Sequence, residues 1–311
     1  MAVYRKFSGK GSRMIELKGL TKKFGSFTAL DSISFSVSDG SIFGLVGSNG
    51  AGKSTLLRTL AGVFRPDGGE ALIDGQSPFE NSEVKGKCVF ISDYPYFFRQ
   101  STLSDMADFY RRIYRSWNPQ RFDQLCGIFP IDRKKKIIEM SKGMQRQAAL
   151  ICALSTEPEY LFMDEIFDGL DPVMRQLLKR IVSGEVSDRN MTVIIASHNL
   201  RELEDLCDHV GLLHRGGILF ERELDALKLG IHKVQAVFQP MPDPKDLGLD
   251  LVTWQIRGSL IELVARGSQE EILARLDGFR PTFAEALPLT LEEVFINEME
   301  AAGYDIDNIL V

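Results

Sequence analysis

The 311-residue chain has few cysteines, no long apolar runs and no surplus of positive charge. Cys88, Cys126, Cys152 and Cys207 are scattered, with no CxxC spacing. That argues against a disulfide-stapled secreted scaffold or a cysteine-rich zinc site, and predicts reduced thiols in a cytosolic protein. Apolar stretches such as VIIA at 193–196 suit buried strands. None approaches the roughly 18 to 20 residues that span a bilayer. With 37 Lys and Arg against 43 Asp and Glu, the net charge of −6 leaves no general footprint for nucleic acid, and no such partner is expected. The basic run RKKK at 133–136 reads as a solvated loop before a helix. The opening MAVYRKFSGKGSR is basic without an apolar centre, so residues 1–13 read as a flexible leader rather than a secretory signal.

With 44% hydrophobic and 26% charged residues, the composition is that of a globular chain with room for a large domain and a small one. IELKGL and ISFSVSDG, within 14–40, alternate as antiparallel strands do. SIFGLVG then runs straight into a Gly-rich loop and the helical KSTLLRTLAGV, which is half of a βαβ unit. From 101 to 157 the periodicity is mostly helical, through LSDMADFYRRIY and MQRQAALICAL. Two apolar strands follow, EYLFMDE at 159–165 and MTVIIASH at 191–198, with the helix DPVMRQLLKRIVSGEV between them. Such alternation predicts a parallel sheet covered on both faces.

After about residue 228 the texture changes. PMPDPKDLGLD at 240–250 is a loop, and LVTWQIR and LIELVARG flank a Gly-Ser turn as a hairpin would. SQEEILARL, with Ser268 and Glu271, and TLEEVFINEMEAAG, with Thr290 and Glu293, each open on a capping box. A small ββα-plus-helix domain is expected there.

GSNGAGKST at 47–55 matches G-x-x-x-x-G-K-[ST] between a strand and a helix. Its glycines let successive backbone N–H groups point inward around phosphates. The motif assigns nucleotide contacts to Gly47, Ser48, Asn49, Gly50, Ala51, Gly52, Lys53, Ser54 and Thr55. Lys53 would reach the β- and γ-phosphates and the Ser54 hydroxyl would ligate Mg²⁺. In LFMDE, Asp164 and Glu165 end an apolar strand, where ligands of open parallel sheets collect. Asp164 is thus the candidate Mg²⁺ carboxylate, and Glu165 the group that orients or deprotonates an attacking water. His198 ends the next strand, where a neutral imidazole can link phosphate to that water or to Glu165.

A Ser-Lys-Gly triplet, Ser141 to Gly143, precedes the helical run MQRQAALICAL. Ser is an ordinary cap there. A Lys at the positive end of a helix is less ordinary, and an anion docking at that end would account for it.

These segments occur in the order and spacing of ABC-type ATPase domains: the loop 47–55, SKGMQ at 141–145, LFMDE at 161–165, GLDP at 169–172 and the strand-end His198. Residues 14–228 resemble that family. The expected fold is α/β, a P-loop NTPase of the ABC ATPase type with a mixed-sheet core, an antiparallel β subdomain and a helical subdomain carrying the signature. A small accessory α+β domain would cover 229–311. The family signature LSGGQ aligns with MSKGM at 140–144. The resemblance implies ATP and Mg²⁺ as ligands, and two domains paired head to tail. Ser141 and Gly143 would then face the γ-phosphate held by the other domain, with Lys142 either adding charge there or projecting into solvent. It also implies a nucleotide contact for Asp171 within GLDP, and stacking of adenine on Phe24 in KKFG. The family's Q-loop glutamine aligns with Asp93, making that carboxylate a further candidate for Mg²⁺.

A signature with Lys in second place, and a C-terminal domain ending in LEEVFINEME, look like the ATPase subunits of bacterial ABC-2-type exporters. The partners implied are a membrane-spanning permease subunit on a separate chain and a second ATPase copy, as homodimer or heterodimer. The place implied is the cytoplasmic face of the membrane. A soluble ABC ATPase acting on ribosomes or nucleic acid is the competing class. A P-loop GTPase is a weaker reading still, because no NKxD motif appears.

Overall fold

The computed structural model describes residues 14–287 and 289–301; the leader expected over 1–13 lies outside them. The chain divides into two compact units, residues up to 198 with 209–221, and 199–208 with those from 222 on. The division falls ahead of the 228/229 boundary read from the sequence, and it assigns 199–208 to the second unit.

In the first unit, β1 (Met14–Phe24) and β2 (Phe27–Ser38) pair antiparallel, with Ile15 opposite Val37 and Leu17 opposite Phe35. The fully buried β3 (Ile42–Val46) leads through the Gly-rich loop into α1 (Lys53–Leu60). β4 (Gly68–Ile73) then joins β1 to complete a three-stranded sheet of order β2-β1-β4. After α2 (Ser82–Lys87) and β5 (Cys88–Ile91) comes the helical region: α3 (Leu103–Ile113), α4 (Pro119–Ile128) and α5 (Lys142–Ser155). Polar caps set where these three helices start. Thr102 and Asp105 form a capping box on α3, Asn118 caps α4, and Ser141 caps α5.

β6 (Tyr160–Asp164), α6 (Pro172–Arg189) and β7 (Thr192–Ser197) follow as expected. Beyond α7 (Leu200–Glu204), β8 (His209–His214) and β9 (Gly217–Glu223) close a six-stranded sheet of order β5-β6-β7-β3-β8-β9. β5 through β8 run parallel. Two residues separate β8 from β9, which only an antiparallel return permits, so the sheet is mixed. The inner face of β1–β2 shares one core with Phe43 and Leu45 of β3 and Leu56, Leu57 and Leu60 of α1. Phe35 stacks on Phe43 at 5.0 Å, almost parallel. Each large side chain buried there contributes about 1.5–3 kcal/mol, which fixes the antiparallel sheet beside the phosphate loop.

The second unit contains α7, α8 (Leu224–Gly230), β10 (Ile231–Val237), β11 (Asp250–Arg257), β12 (Leu260–Arg266), α9 (Gln269–Asp277), β13 (Phe283–Leu287) and α10 (Leu291–Ala301). The hairpin and both capping boxes are where the sequence put them. The ββα description, however, is incomplete. The sheet has four strands in the order β11-β12-β10-β13, with β10 paired on both sides. IHKVQAV interleaves polar residues with its buried Ile231, Val234 and Ala236, and FAEAL is short and rich in Ala and Glu, so neither stands out as a strand locally. Long-range pairing and a core of Val234, Phe238, Ile261, Leu263, Ile272 and Leu276 make them strands.

Candidate functional site

Strand register assembles the site. Val46 at the end of β3 lies level with Ser197 at the end of β7, and Asp164 at the end of β6 lies level with Ala196. All three strands run parallel and adjacent, so the Gly-rich loop, Asp164–Glu165 and His198 emerge side by side at one edge of the sheet.

Within the loop, Gly50 and Gly52 take φ of +80° and +113°, which side chains rarely adopt, and a Cβ on Gly52 would lie 2.6 Å from the Ala29 carbonyl oxygen. The Ala51 N–H donates to the Ser48 carbonyl at 3.1 Å, closing the turn below exposed Asn49. α1 opens with no side-chain cap and no acid in its first turn, which leaves its N–H groups and dipole to an anion. Half-buried Ser54 and Thr55 line that first turn. Buried Lys53 folds back over the loop, its Nζ donating to the Gly47 carbonyl at 2.6 Å and the Ser48 carbonyl at 3.3 Å.

Asp164 is 1% exposed, and neither carboxylate oxygen has a hydrogen-bond partner among the described residues. Burial raises its pKa. The nearby Ser54 hydroxyl pulls it back without completing a well-formed bond, and the charges of Glu165 and Asp93 push it higher. A buried, unpaired carboxylate facing a hydroxyl on the phosphate loop fits a divalent cation. Glu165 is held from several sides. Its N–H donates to the Ala196 carbonyl at 2.9 Å, its Oε1 lies 3.3 Å from Lys53 Nζ, and its Oε2 lies 2.9 Å from His198 Nδ1. It also sits at φ +47°, a backbone state that is costly for a non-glycine residue and that neighbours must impose. The two adjacent acids meet different groups: Asp164 has Ser54 beside it, and Glu165 meets Lys53 and His198.

The sequence-derived candidates outside this edge are less tightly grouped. Phe24 is 44% exposed, packs edge-on against Phe64 at 5.3 Å and carries Lys22 Nζ 5.4 Å from its ring centre. An exposed ring braced in this way suits stacking. Ser141 accepts the Met144 N–H at 3.3 Å as the cap of α5, and Lys142 is exposed. Gly143 is needed for closeness rather than for φ, since a Cβ there would stand 2.8 Å from the Gly169 carbonyl oxygen. Asp171 Oδ1 accepts the Val173 and Met174 N–H groups, both at 3.0 Å, as the cap of α6. Asp93 Oδ1 is taken by Arg146 Nη2 at 2.7 Å.

Three neighbours of these candidates carry no recognisable motif in the sequence. Asp168 brings a carboxylate that, with Glu165 and His198, offers ligand atoms all within 4.8 Å of one another. Its place in the IFDGL turn after LFMDE was the only signal available. Arg146 is one polar position within the helical run MQRQAALICAL, and Phe64 follows KSTLLRTLAGV with no motif around it.

A loop shaped for phosphates, an acid suited to a cation and a second acid poised beside a histidine define a nucleoside-triphosphate-hydrolysing enzyme of the P-loop class. The ABC transporter family model matches residues 30–168. The ABC transporter ATP-binding protein YtrB of Bacillus subtilis (strain 168) is 30% identical over 91% of this chain and 97% of its own length. The bacitracin transport ATP-binding protein BcrA of Bacillus licheniformis is 34% identical over 70% of this chain and 72% of its own. Among solved structures, an ATP-binding subunit of an ABC transporter superposes with a TM-score of 0.65 at 22% identity, over 85% of this chain and 99% of that one. A dimeric post-hydrolysis state of the ATP-binding cassette MJ0796, bound to ADP and Pi, superposes with a TM-score of 0.61 at 20% identity, over 68% of this chain and 98% of that one. The chain belongs to the ABC transporter family, as an ATP-binding and ATP-hydrolysing subunit.

Proposed function

We propose that two copies of this ATPase close head to tail over two Mg-ATP molecules, and that closing and reopening drive a membrane-spanning partner on a separate chain at the cytoplasmic face. The observation that carries the chemistry is the bridging of Glu165 between Lys53 and His198. The loop N–H groups and the start of α1 hold the phosphates, and Lys53 exchanges its carbonyl partners for phosphate oxygens. Ser54 and Asp164 hold Mg²⁺, with Asp93 on the same side; when bound, the ion offsets the charge on the β- and γ-phosphates. Glu165 takes a proton from water as the water oxygen bonds to the γ-phosphorus and the bond to the ADP oxygen breaks. His198 keeps Glu165 aimed. Phe24 stacks on adenine.

The start of α5 supports pairing. Ser141 and Lys142 are exposed, so the signature faces outward from the chain that carries it. There Ser141, Gly143 and the helix dipole can cap a γ-phosphate supplied in trans, and Asp171, the cap of α6, adds a further nucleotide contact. Among the described residues no helix is long and apolar enough to cross a membrane, so a spanning partner on another chain fits.

Light scattering on Glu165→Gln with Mg-ATP tests the pairing. The variant is expected to bind ATP, hydrolyse it at least about a hundredfold more slowly, and accumulate as a dimer. A strict monomer at high concentration would overturn homodimeric closure. Affinity capture from gently solubilised host membranes would then report whether a polytopic protein or a second ATPase chain co-elutes.

A further inference from the structure

Arg146 lies in the second turn of α5 and is 8% exposed. Its Nη2 donates to Asp93 Oδ1 at 2.7 Å and to the Asp93 carbonyl at 3.2 Å. Its Nη1 lies 3.3 Å from where a Cβ on Gly169 would stand. One guanidinium therefore sits among three segments: the loop after β5, the loop after β6 that begins at Glu165, and α5 itself, which Ser141 and Gly143 open. A buried guanidinium is costly unless paired, and here its partner is a carboxylate 32% exposed at the side chain.

The charge balance around the phosphates gives this pair a consequence. Asp164 and Asp93 bring two carboxylates to the metal side, and the charges of Asp93 and of neighbouring Glu165 both reach Asp164. Lys53 faces Glu165, and Arg58 acts on Asp164. Arg146 is the group that pairs with Asp93. Without it, an extra negative charge would face a triphosphate across a partly desolvated site, where screening is weak.

We propose that Arg146 is a positioning residue for ATP binding: it neutralises Asp93, fixes where that carboxylate stands, and so links the metal side of the nucleotide site to the signature helix of the same chain. The inference rests on the reading that the Lys53 loop holds ATP. It adds a residue that touches neither phosphate nor metal, and it predicts charge-dependent behaviour that simple packing does not.

The test is a fluorescence titration with a fluorescent ATP analogue, with and without Mg²⁺, on the full chain. Arg146→Gln is expected to bind about tenfold more weakly without Mg²⁺, and less so with Mg²⁺, because repulsion scales with the charge of the nucleotide. The double variant Asp93→Gln/Arg146→Gln, with both charges gone, is expected to return to within about twofold of the parent. Asp93→Gln alone leaves Arg146 cationic and should tighten Mg²⁺-free binding by about threefold or more. An unchanged Arg146→Gln would overturn the proposal, as would a double variant no better than the single one. Should Arg146→Gln fail to fold, Asp93→Gln decides: unchanged or weaker Mg²⁺-free binding overturns it. Failure of the parent chain to bind ATP would instead sink the reading of the loop.

Discussion

Glu165 Oε2 lies 2.9 Å from His198 Nδ1 while Oε1 of the same carboxylate lies 3.3 Å from Lys53 Nζ. A side chain held at both oxygens has little rotamer freedom left, so it is aimed before substrate arrives. In the proposed cycle, phosphate would draw Lys53 away and His198 would remain to hold Glu165.

His198→Ala should therefore lower kcat by about ten- to a hundredfold while leaving ATP affinity within about twofold. His198→Gln, which keeps a hydrogen-bonding group near Glu165, should retain more activity. Phosphate release under saturating ATP, alongside nucleotide titration, separates the two effects. Equal losses in both variants would mean that the ring does more than orient Glu165.

The metal-binding role proposed for Asp164 carries a cost in stability. Burial raises its carboxyl pKa, so the folded chain favours the protonated form more than the unfolded chain does. That contribution is present below the ordinary carboxylate range and is lost as pH rises through the elevated value; at neutral pH the ionised group is a cost. Asp164→Asn should thus stabilise the metal-free protein at pH 7 by about 1 kcal/mol, or roughly 2–4 °C in Tm. The gain should shrink as pH falls and the parent carboxyl protonates. Mg-ATP should raise the Tm of the parent but not of the variant. Thermal scans from pH 5 to pH 8, with and without Mg-ATP, read all three effects.

Two glycines predict opposite signs. A Cβ on Gly143 would meet the Gly169 carbonyl oxygen at 2.8 Å, whereas one on Gly184 in α6 meets nothing within 4 Å. Gly143→Ala should destabilise by about 1–3 kcal/mol and weaken ATP-driven pairing, since the start of α5 must move off the 165–171 loop. Gly184→Ala should stabilise by about 0.5–1 kcal/mol, because alanine has less backbone entropy to lose in a helix. Denaturant melts of the two variants check both signs. A stabilising Gly143→Ala would show that the signature helix is loosely seated.

Much of the site was legible because its encoding is local. In GSNGAGKST the glycines, the lysine and the hydroxyls act within one turn of chain, and the strand before and helix after are visible as periodicity. Asp164 and Glu165 could be placed at a strand end for the same reason. What no local pattern carries is which distant groups each of those two neighbours meets. Glu165 sits at φ +47° with its N–H on the Ala196 carbonyl and its carboxylate on His198, while Asp164 has Ser54 beside it; these partners come from distant segments. In the second unit the Gly258-Ser259 hairpin was readable from its turn. β10 and β13, whose partners lie far along the chain, were not.

The sequence by itself determined the class of chemistry, because phosphate binding depends on backbone freedom and on residue types at fixed covalent spacing. Only the tertiary structure decided which distant groups meet. Parallel register brought the ends of β3, β6 and β7 level, and the burial of α5 carried Arg146 to Asp93, 53 residues earlier in the chain. Those contacts depend on which apolar faces leave water together, and that is a property of the whole core rather than of any one segment.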